Sequence, residues 1–201
     1  MDLLIGTGNR GKLAEYQHLL AEVQMKLLSL QDVGLLDMEV DEDGATLEAN
    51  ARIKARAYAR ASGLVTLADD TGLMVDALGG APGIHAARYG GPGLTMAERR
   101  QRLLDALAGV PDDRRTARFM CVIAVAVPGE AAVVTVEGAC EGHIARQEMP
   151  GEHGFGYDPV FVPQGYSLPW SRISPDEKHR ISHRGRAAQQ IIPVLRRLAG
   201  A

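Results

Sequence analysis

Cysteine and aromatic residues are what this 201-residue chain has least of: two Cys, one Trp and an aromatic share of 4%. Cys121 and Cys140 lie far apart, with no C-x-x-C pattern. That excludes a disulfide framework and any zinc-ligand spacing. Each sits in a strand-like apolar run, which predicts a buried free thiol. No apolar stretch is long enough to span a bilayer. The N-terminus runs directly into a strand pattern, without the basic and long apolar segments of a signal peptide. The expectation is a reducing, cytoplasmic location and no membrane partner. An excess of positive charge is also missing, since the formal net charge is -3. A polyanion needs a basic surface, so no nucleic-acid polymer is expected, while a small anion held by a few local cations is still allowed.

What is present is ordinary for a folded soluble domain, with 46% hydrophobic and 23% charged residues. The length suits one large domain or two small lobes. Leu3 to Ile5 reads as a strand, followed by a helix from Gly11 to Val23 with Leu13, Tyr16, Leu20 and Val23 on one face. Lys26 to Leu30 reads as a second strand. Thr46 to Ala61 reads as a helix closed by Gly63, and Leu64 to Ala68 as a strand that ends at Asp69-Asp70-Thr71-Gly72. Residues 79–83 form a turn-rich loop. Thr95 and Glu98 make a capping box for a helix that stops near Gly109. Thr116 to Val127 and Ala131 to Gly138 read as a hairpin about Pro128-Gly129. Ser174, Pro175 and Glu177 open another helix. A last one follows Ser182, in which Pro193 is expected to cause a kink or break. No repeat or low-complexity linker interrupts the chain, and a single α/β unit with a mixed sheet is the simplest architecture.

The segment Gly6-Thr7-Gly8-Asn9-Arg10-Gly11-Lys12 admits three readings. As a P-loop it lacks the Ser or Thr that should follow the lysine to hold magnesium; Leu13 stands there. As a dinucleotide fingerprint it has a strand before it, a helix after it and Asp32 about twenty residues on, but no clean series of further βαβ units. The third reading needs only local physics. A glycine-rich turn at a helix N-terminus offers backbone N–H groups and a positive dipole end. Thr7 and Asn9 add short polar groups. Lys12, unfavourable for the dipole in that first turn, points to an anion.

Other residues suggest what such an anion belongs to. Asp69 and Asp70 are neighbours on a strand, so at most one faces a given cleft. The acidic run Glu39 to Asp43 can supply a second carboxylate, and two carboxylates with phosphate oxygens and waters suit magnesium. Asn50 and Lys54 share a helical face, with Arg52 and Arg56 on other azimuths. In "HGFGYDPVF", Phe155 stands between two glycines, and Asp158 precedes a proline. An aromatic face beside a fixed carboxylate suits a nucleobase. "SPDEKHRISHRGRA" places Lys178, His183, Arg184 and Arg186 near one helix start.

Together "GTGNRGK", "EDGATLEANARIKA", "LADDTGLMVDALGGAPGIHAARYGG", "GFGYDPVF" and "DEKHRISHRGRA" resemble, in this order, the Ham1-like noncanonical purine nucleotide pyrophosphatases, also called inosine triphosphatases or dITP/XTP pyrophosphatases. The resemblance runs from Leu3 to about Leu198. It implies a single domain over 1–201 with a long mixed twisted α/β sheet flanked by helices, in two lobes around a central cleft. It implies hydrolysis of ITP, dITP and XTP to the monophosphate and pyrophosphate, a need for Mg2+, and a homodimer. By matching motif, Thr7, Gly8, Asn9, Arg10, Gly11, Lys12, Lys54 and Thr71 correspond to substrate contacts around the triphosphate. Asp70 corresponds to the catalytic acid-base residue and a metal ligand, with Asp69 and Glu42 as further metal candidates. Phe155, Gly156, Tyr157, Asp158, Lys178, His183 and Arg184 correspond to the base-binding residues. The chain departs from the pattern at Thr71, where Ser is usual, at His85, where Tyr is common, and in the segment "SLPWSRI" around Trp170.

Overall fold

The structure, a computed structural model, describes residues 1–200. The chain divides into two compact units, one made of residues 1–70, 121–138 and the chain from Arg184 onward, the other of residues 71–120 and 139–183.

In the first unit, β1 (Asp2–Ile5) pairs in parallel with β2 (Lys26–Ser29) on one side and β3 (Val65–Val75) on the other. A parallel strand covered on both faces reads as a continuous apolar run, and Leu3, Leu4 and Ile5 are all fully buried. Successive residues still part company: Leu3 and Ile5 join one core cluster, Leu4 another with Leu30 and Tyr58. The larger cluster takes Tyr16 from α1 (Arg10–Leu19), Cys121, Ile123 and Val125 from β5 (Thr116–Ala126), and Ile191 and Leu195 from α5 (His183–Ala199). Helix α1 ends at Leu19 rather than Val23, yet Leu20 and Val23 stay in the core on the turn that follows. Pro193 does not interrupt α5, which continues to Ala199. Burial of Ile191, Ile192 and Leu195 outweighs the single hydrogen bond that proline forfeits. Helix α2 (Leu47–Ser62) is capped by the Thr46 hydroxyl and closed by Gly63, whose φ of 70° is the left-handed geometry glycine adopts without strain.

The second unit holds the tryptophan and all three phenylalanines of the chain. Phe119, Phe161 and Trp170 pack with ring centroids within 5.0 Å of one another. Around them lie Leu73 and Val75 of β3 and Leu103 of α3 (Met96–Ala106), whose Thr95–Glu98 capping box is present in full. Here β3 pairs antiparallel with a short β4 (Pro82–Gly83), and β6 (Val133–Ile144) pairs antiparallel with β7 (Phe161–Pro163). Helix α4 (Pro175–Ile181) starts as expected from Ser174 with Pro175 at its first position. The mixed sheet has the order β2-β1-β3-β5-β6-β7, with β4 beside β3.

Two further sequence expectations need correction. The third strand does not end at Ala68; it runs through Asp69 and Asp70 to Val75. Leu73 and Val75 bury their side chains there, and β4 pairs with the residues past the acids. The second hairpin strand starts at Val133 and extends to Ile144, six residues beyond Gly138, because its last residues pair with β7.

Candidate active site

The glycine turn is held by its own polar side chains. Asn9 Oδ1 accepts from the backbone N–H of Gly11 at 2.9 Å and of Lys12 at 3.1 Å, an N-cap for α1. Thr7 Oγ1 accepts from the Asn9 N–H at 3.2 Å. Gly6 and Gly8 differ in kind. A Cβ at Gly6 would sit 2.9 Å from Tyr58 Cδ2, whereas one at Gly8 would meet nothing within 4 Å. Gly6 therefore serves packing, and Gly8 leaves open space beside the backbone. Asp32, the acid of the dinucleotide reading, accepts from the Ser29 backbone and hydroxyl at 2.8 and 2.6 Å, a local turn interaction.

Alternation along β3 separates the two aspartates. Asp69 continues the series Val65, Leu67 and points with them toward α1 and α5. Its carboxylate lies 2.9 Å from Lys12 Nζ, 3.4 Å from Arg184 Nη2 and 3.6 Å from Cys121 Sγ. Burial pushes this carboxyl up, but Lys12, Arg184 and Lys54 outweigh it and hold it well below the usual carboxylate range. Arg184 also pairs with Glu15 of α1. Burial works against its charge, while Asp69 and Glu15 raise its pKa beyond the ordinary arginine value.

Asp70 faces the other way, toward α2. It accepts from Asn50 Nδ2 at 3.2 Å and meets Lys54 Nζ at 3.3 Å. Lys54 in turn reaches Glu42 at 2.6 Å. Burial disfavours the Lys54 ammonium, yet Asp70, Asp69 and Glu42 hold its pKa above the ordinary value. The acidic loop is tied down through Asn50, whose Oδ1 accepts from the Gly44 N–H at 2.8 Å. A Cβ at Gly44 would lie 2.6 Å from that oxygen, so the close approach needs glycine. One side chain thus holds both the strand acid and the loop that carries Glu42.

These residues fit a hard divalent cation. Three cations, Lys12, Lys54 and Arg184, face four carboxylates, Glu15, Glu42, Asp69 and Asp70, within the first unit. Glu42 and Asp70 already share one positive group, the Lys54 ammonium. Carboxylate oxygens are the protein donors that Mg2+ prefers. Asp69 is committed to Lys12 and Arg184 and is the weaker ligand candidate.

In the second unit, Asp158 Oδ2 accepts from the Phe155 N–H and from Lys178 Nζ, both at 2.7 Å. The Lys178 ammonium lies 4.9 Å from the Phe155 ring centroid and 5.3 Å from that of Trp170, within cation–π range. Gly154 and Gly156, with φ of 84° and 63°, wind the chain tightly enough that a Cβ at Gly154 would clash with Asp158. Phe155 is left partly exposed while Tyr157 is buried, its hydroxyl donating to Ala86 O at 2.9 Å. Burial pushes that phenol up to about 12. His183 stacks on Phe119 at 4.8 Å and 16°.

The structure therefore brings Lys12, Glu42, Lys54, Asp69 and Asp70 together in one unit, and Phe155, Asp158, Lys178 and His183 in the other. Arg184, grouped by sequence with the latter set, bonds to Glu15 and Asp69. Arg10 opens α1 with its side chain exposed, and Thr71 follows Asp70 along β3. His85 is exposed and accepts from Arg88. Sequence reasoning gave Glu15 no role, read Cys121 only as a buried free thiol, as it is, and left the role of the segment around Trp170 open. Their partners come from distant segments, and no local spacing signals them. A cavity of about 910 Å³ beside β6 and β7 is lined by none of the expected site residues.

The Ham1 family model matches residues 3–194. The dITP/XTP pyrophosphatase of Leifsonia xyli subsp. xyli is 44% identical over 197 residues, covering 98% of this chain and 96% of its own. That of Bacillus subtilis is 40% identical over 194 residues, with 96% of each chain covered. Among solved structures, a HAM1 protein from Coxiella burnetii is similar with a TM-score of 0.86 and 39% identity, over the whole of both chains.

Proposed function

The chain belongs to the Ham1 family, and on that premise we propose how its residues act as a nucleoside-triphosphate pyrophosphatase. It hydrolyses noncanonical purine nucleoside triphosphates, ITP, dITP and XTP, to the monophosphate and pyrophosphate. The observation that carries the reading is the Lys54 ammonium shared by Glu42 and Asp70, at 2.6 and 3.3 Å.

Water attacks the α-phosphorus, the bond to the oxygen bridging α and β breaks, and pyrophosphate leaves. Asp70 orients the water and takes its proton. An unassisted carboxylate is a weak base toward water. Glu42 and Asp70 would hold Mg2+, which would supply neutralisation of the triphosphate and acidification of water. Lys12 and Lys54 meet the charge that develops on the leaving pyrophosphate. Arg184 and Lys12 keep Asp69 ionised and in place, so that Lys12 stays at the head of α1. Gly8 lets the backbone come close to a phosphate, joined by Thr7 and Asn9 at the turn.

For the base, Phe155 offers its exposed face for stacking. Lys178 donates to a 6-oxo group. Asp158 already serves two donors through one oxygen, and an ionised carboxylate has about four acceptor sites, enough to take a purine N1–H as well. Adenine presents the reverse pattern and would leave buried polar groups mismatched, which rejects it. We further propose that the enzyme works as a homodimer in the cytoplasm, which light scattering at twice the chain mass would support.

A panel of nucleoside triphosphates incubated with Mg2+, and scored for pyrophosphate and monophosphate, tests the reading. ITP, dITP and XTP are expected to yield both products, with ATP far slower. Orthophosphate instead of pyrophosphate, or no turnover of ITP, overturns it.

A further inference from the structure

Arg100 lies on α3 and belongs to none of the motifs that carry the family resemblance. Its guanidinium nevertheless reaches the loop that holds Phe155. Nη1 donates to the Gly156 carbonyl at 2.8 Å and Nη2 pairs with Glu148 at 2.7 Å. The side chain is 13% exposed, so water competes weakly for these bonds.

The loop needs an outside anchor at that point. Phe155 sits between two glycines in the left-handed region, the residues that restrict a backbone least. Elsewhere the loop is tied from one flank by the unusual "SLPWSRI" segment. Ser171 Oγ donates to Met149 O at 2.7 Å, Arg172 Nε to Pro150 O at 3.0 Å, and the His153 N–H to Ser171 O at 3.2 Å. Tyr157, Val160 and Phe161 are fixed by the core. Between these two fixed stretches, Gly156 O is gripped by Arg100. The helix that supplies Arg100 is itself rigid. It has its capping box, Leu103 is buried in the core, and the neighbouring Arg99 donates to Tyr89 O and Gly91 O at 2.6 and 2.8 Å.

We infer that Arg100 is a positioning residue for base recognition, holding the Gly156–Tyr157 peptide, next in the chain after Phe155, so that the Phe155 ring presents its face to the purine. The inference rests on the base-stacking reading of Phe155. Arg100 touches neither the phosphates nor the acids of the first unit in this role, so it acts on affinity for the base and not on the chemical step. Lysine keeps the charge but not the planar fork, and it restores one bond at a time.

Steady-state kinetics on the full chain with ITP and Mg2+ test this in Arg100→Met, Arg100→Lys, Phe155→Ala and the Arg100→Met/Phe155→Ala double variant. Arg100→Met is expected to raise KM about five- to tenfold, with kcat within about twofold of wild type and Arg100→Lys in between. On the Phe155→Ala background the same substitution is expected to change KM little, because the ring it positions is gone. A wild-type KM in Arg100→Met, or an undiminished rise on the Phe155→Ala background, overturns the inference while leaving the stacking reading intact. An unchanged KM in Phe155→Ala alone overturns the stacking reading, and the inference with it. Should Arg100→Met not fold, Glu148→Gln keeps Arg100 in place and removes its charged partner. A smaller KM rise that also vanishes without Phe155 is expected, and no rise counts against the inference.

Discussion

Replacing Asp70 by Asn keeps the side chain's shape and its place beside Asn50 and Lys54, but removes the proton acceptor. Turnover of ITP is expected to fall about 10²- to 10⁴-fold, with nucleotide binding retained when followed by calorimetry. Near-wild-type turnover would remove Asp70 from its role. Arg184→Met is expected to act differently. It leaves Glu15 and Asp69 inside the first unit with one cation fewer, and stranding a buried charge costs about 3–5 kcal/mol. Urea denaturation measures that loss, and a change under about 1 kcal/mol would mean the network is not needed for folding. Some of this was readable beforehand. Asn50 and Lys54 are four apart, so their common face followed from helical spacing. The opposite facing of Asp69 and Asp70 followed from strand alternation. The partners of Asp69 did not, because Lys12, Cys121 and Arg184 come from three separated segments, and only the folded chain brings them to one carboxylate.

Elements were legible where a local pattern decides them. The Thr95–Glu98 capping box, the Ser174 N-cap, the Gly63 stop and the apolar face of α1 are set by residues within one or two turns, and the structure has them. The length of β3 was not legible. Asp-Asp-Thr-Gly has turn composition, yet pairing with β4 and burial of Leu73 and Val75 keep it extended. Tertiary pairing likewise lengthened β6 and carried α5 through Pro193. The turn from β1 to α1 yields a prediction at this scale. Gly6→Ala forces a methyl group to 2.9 Å from Tyr58 of α2 and is expected to cost about 1–3 kcal/mol. Gly8→Ala meets open space, and its φ lies outside the left-handed region. It should change stability by less than about 0.5 kcal/mol while raising KM for ITP. Thermal melts and kinetics on the pair check both. Equal destabilisation would show that Gly8 serves packing after all, and an unchanged KM would remove the close phosphate approach.

For the molecule as a whole, one buried group in each unit illustrates how stability depends on pH. In the first unit, Asp69 contributes stability that is lost in acid. Its folded pKa lies below the unfolded value, so its contribution is complete above about pH 4. That contribution fades as pH falls through the depressed folded value. In the second unit, Tyr157 contributes stability that is lost in alkali. Its folded pKa, pushed up to about 12, lies above the unfolded value near ~10. The neutral, buried phenol therefore contributes fully below about pH 10, and the contribution is lost as pH rises from there through 12. Two pKa steps correspond to about 2–3 kcal/mol. Tyr157→Phe cannot ionise at this position and should lack this component of the alkaline loss, though it starts about 1 kcal/mol lower for want of the hydrogen bond to Ala86 O. Urea midpoints at pH 8, 10 and 11.5 separate the two proteins. The curves are expected to converge or cross as the wild type loses stability. Parallel curves would show that the phenol ionises as readily in the folded chain as in the unfolded one.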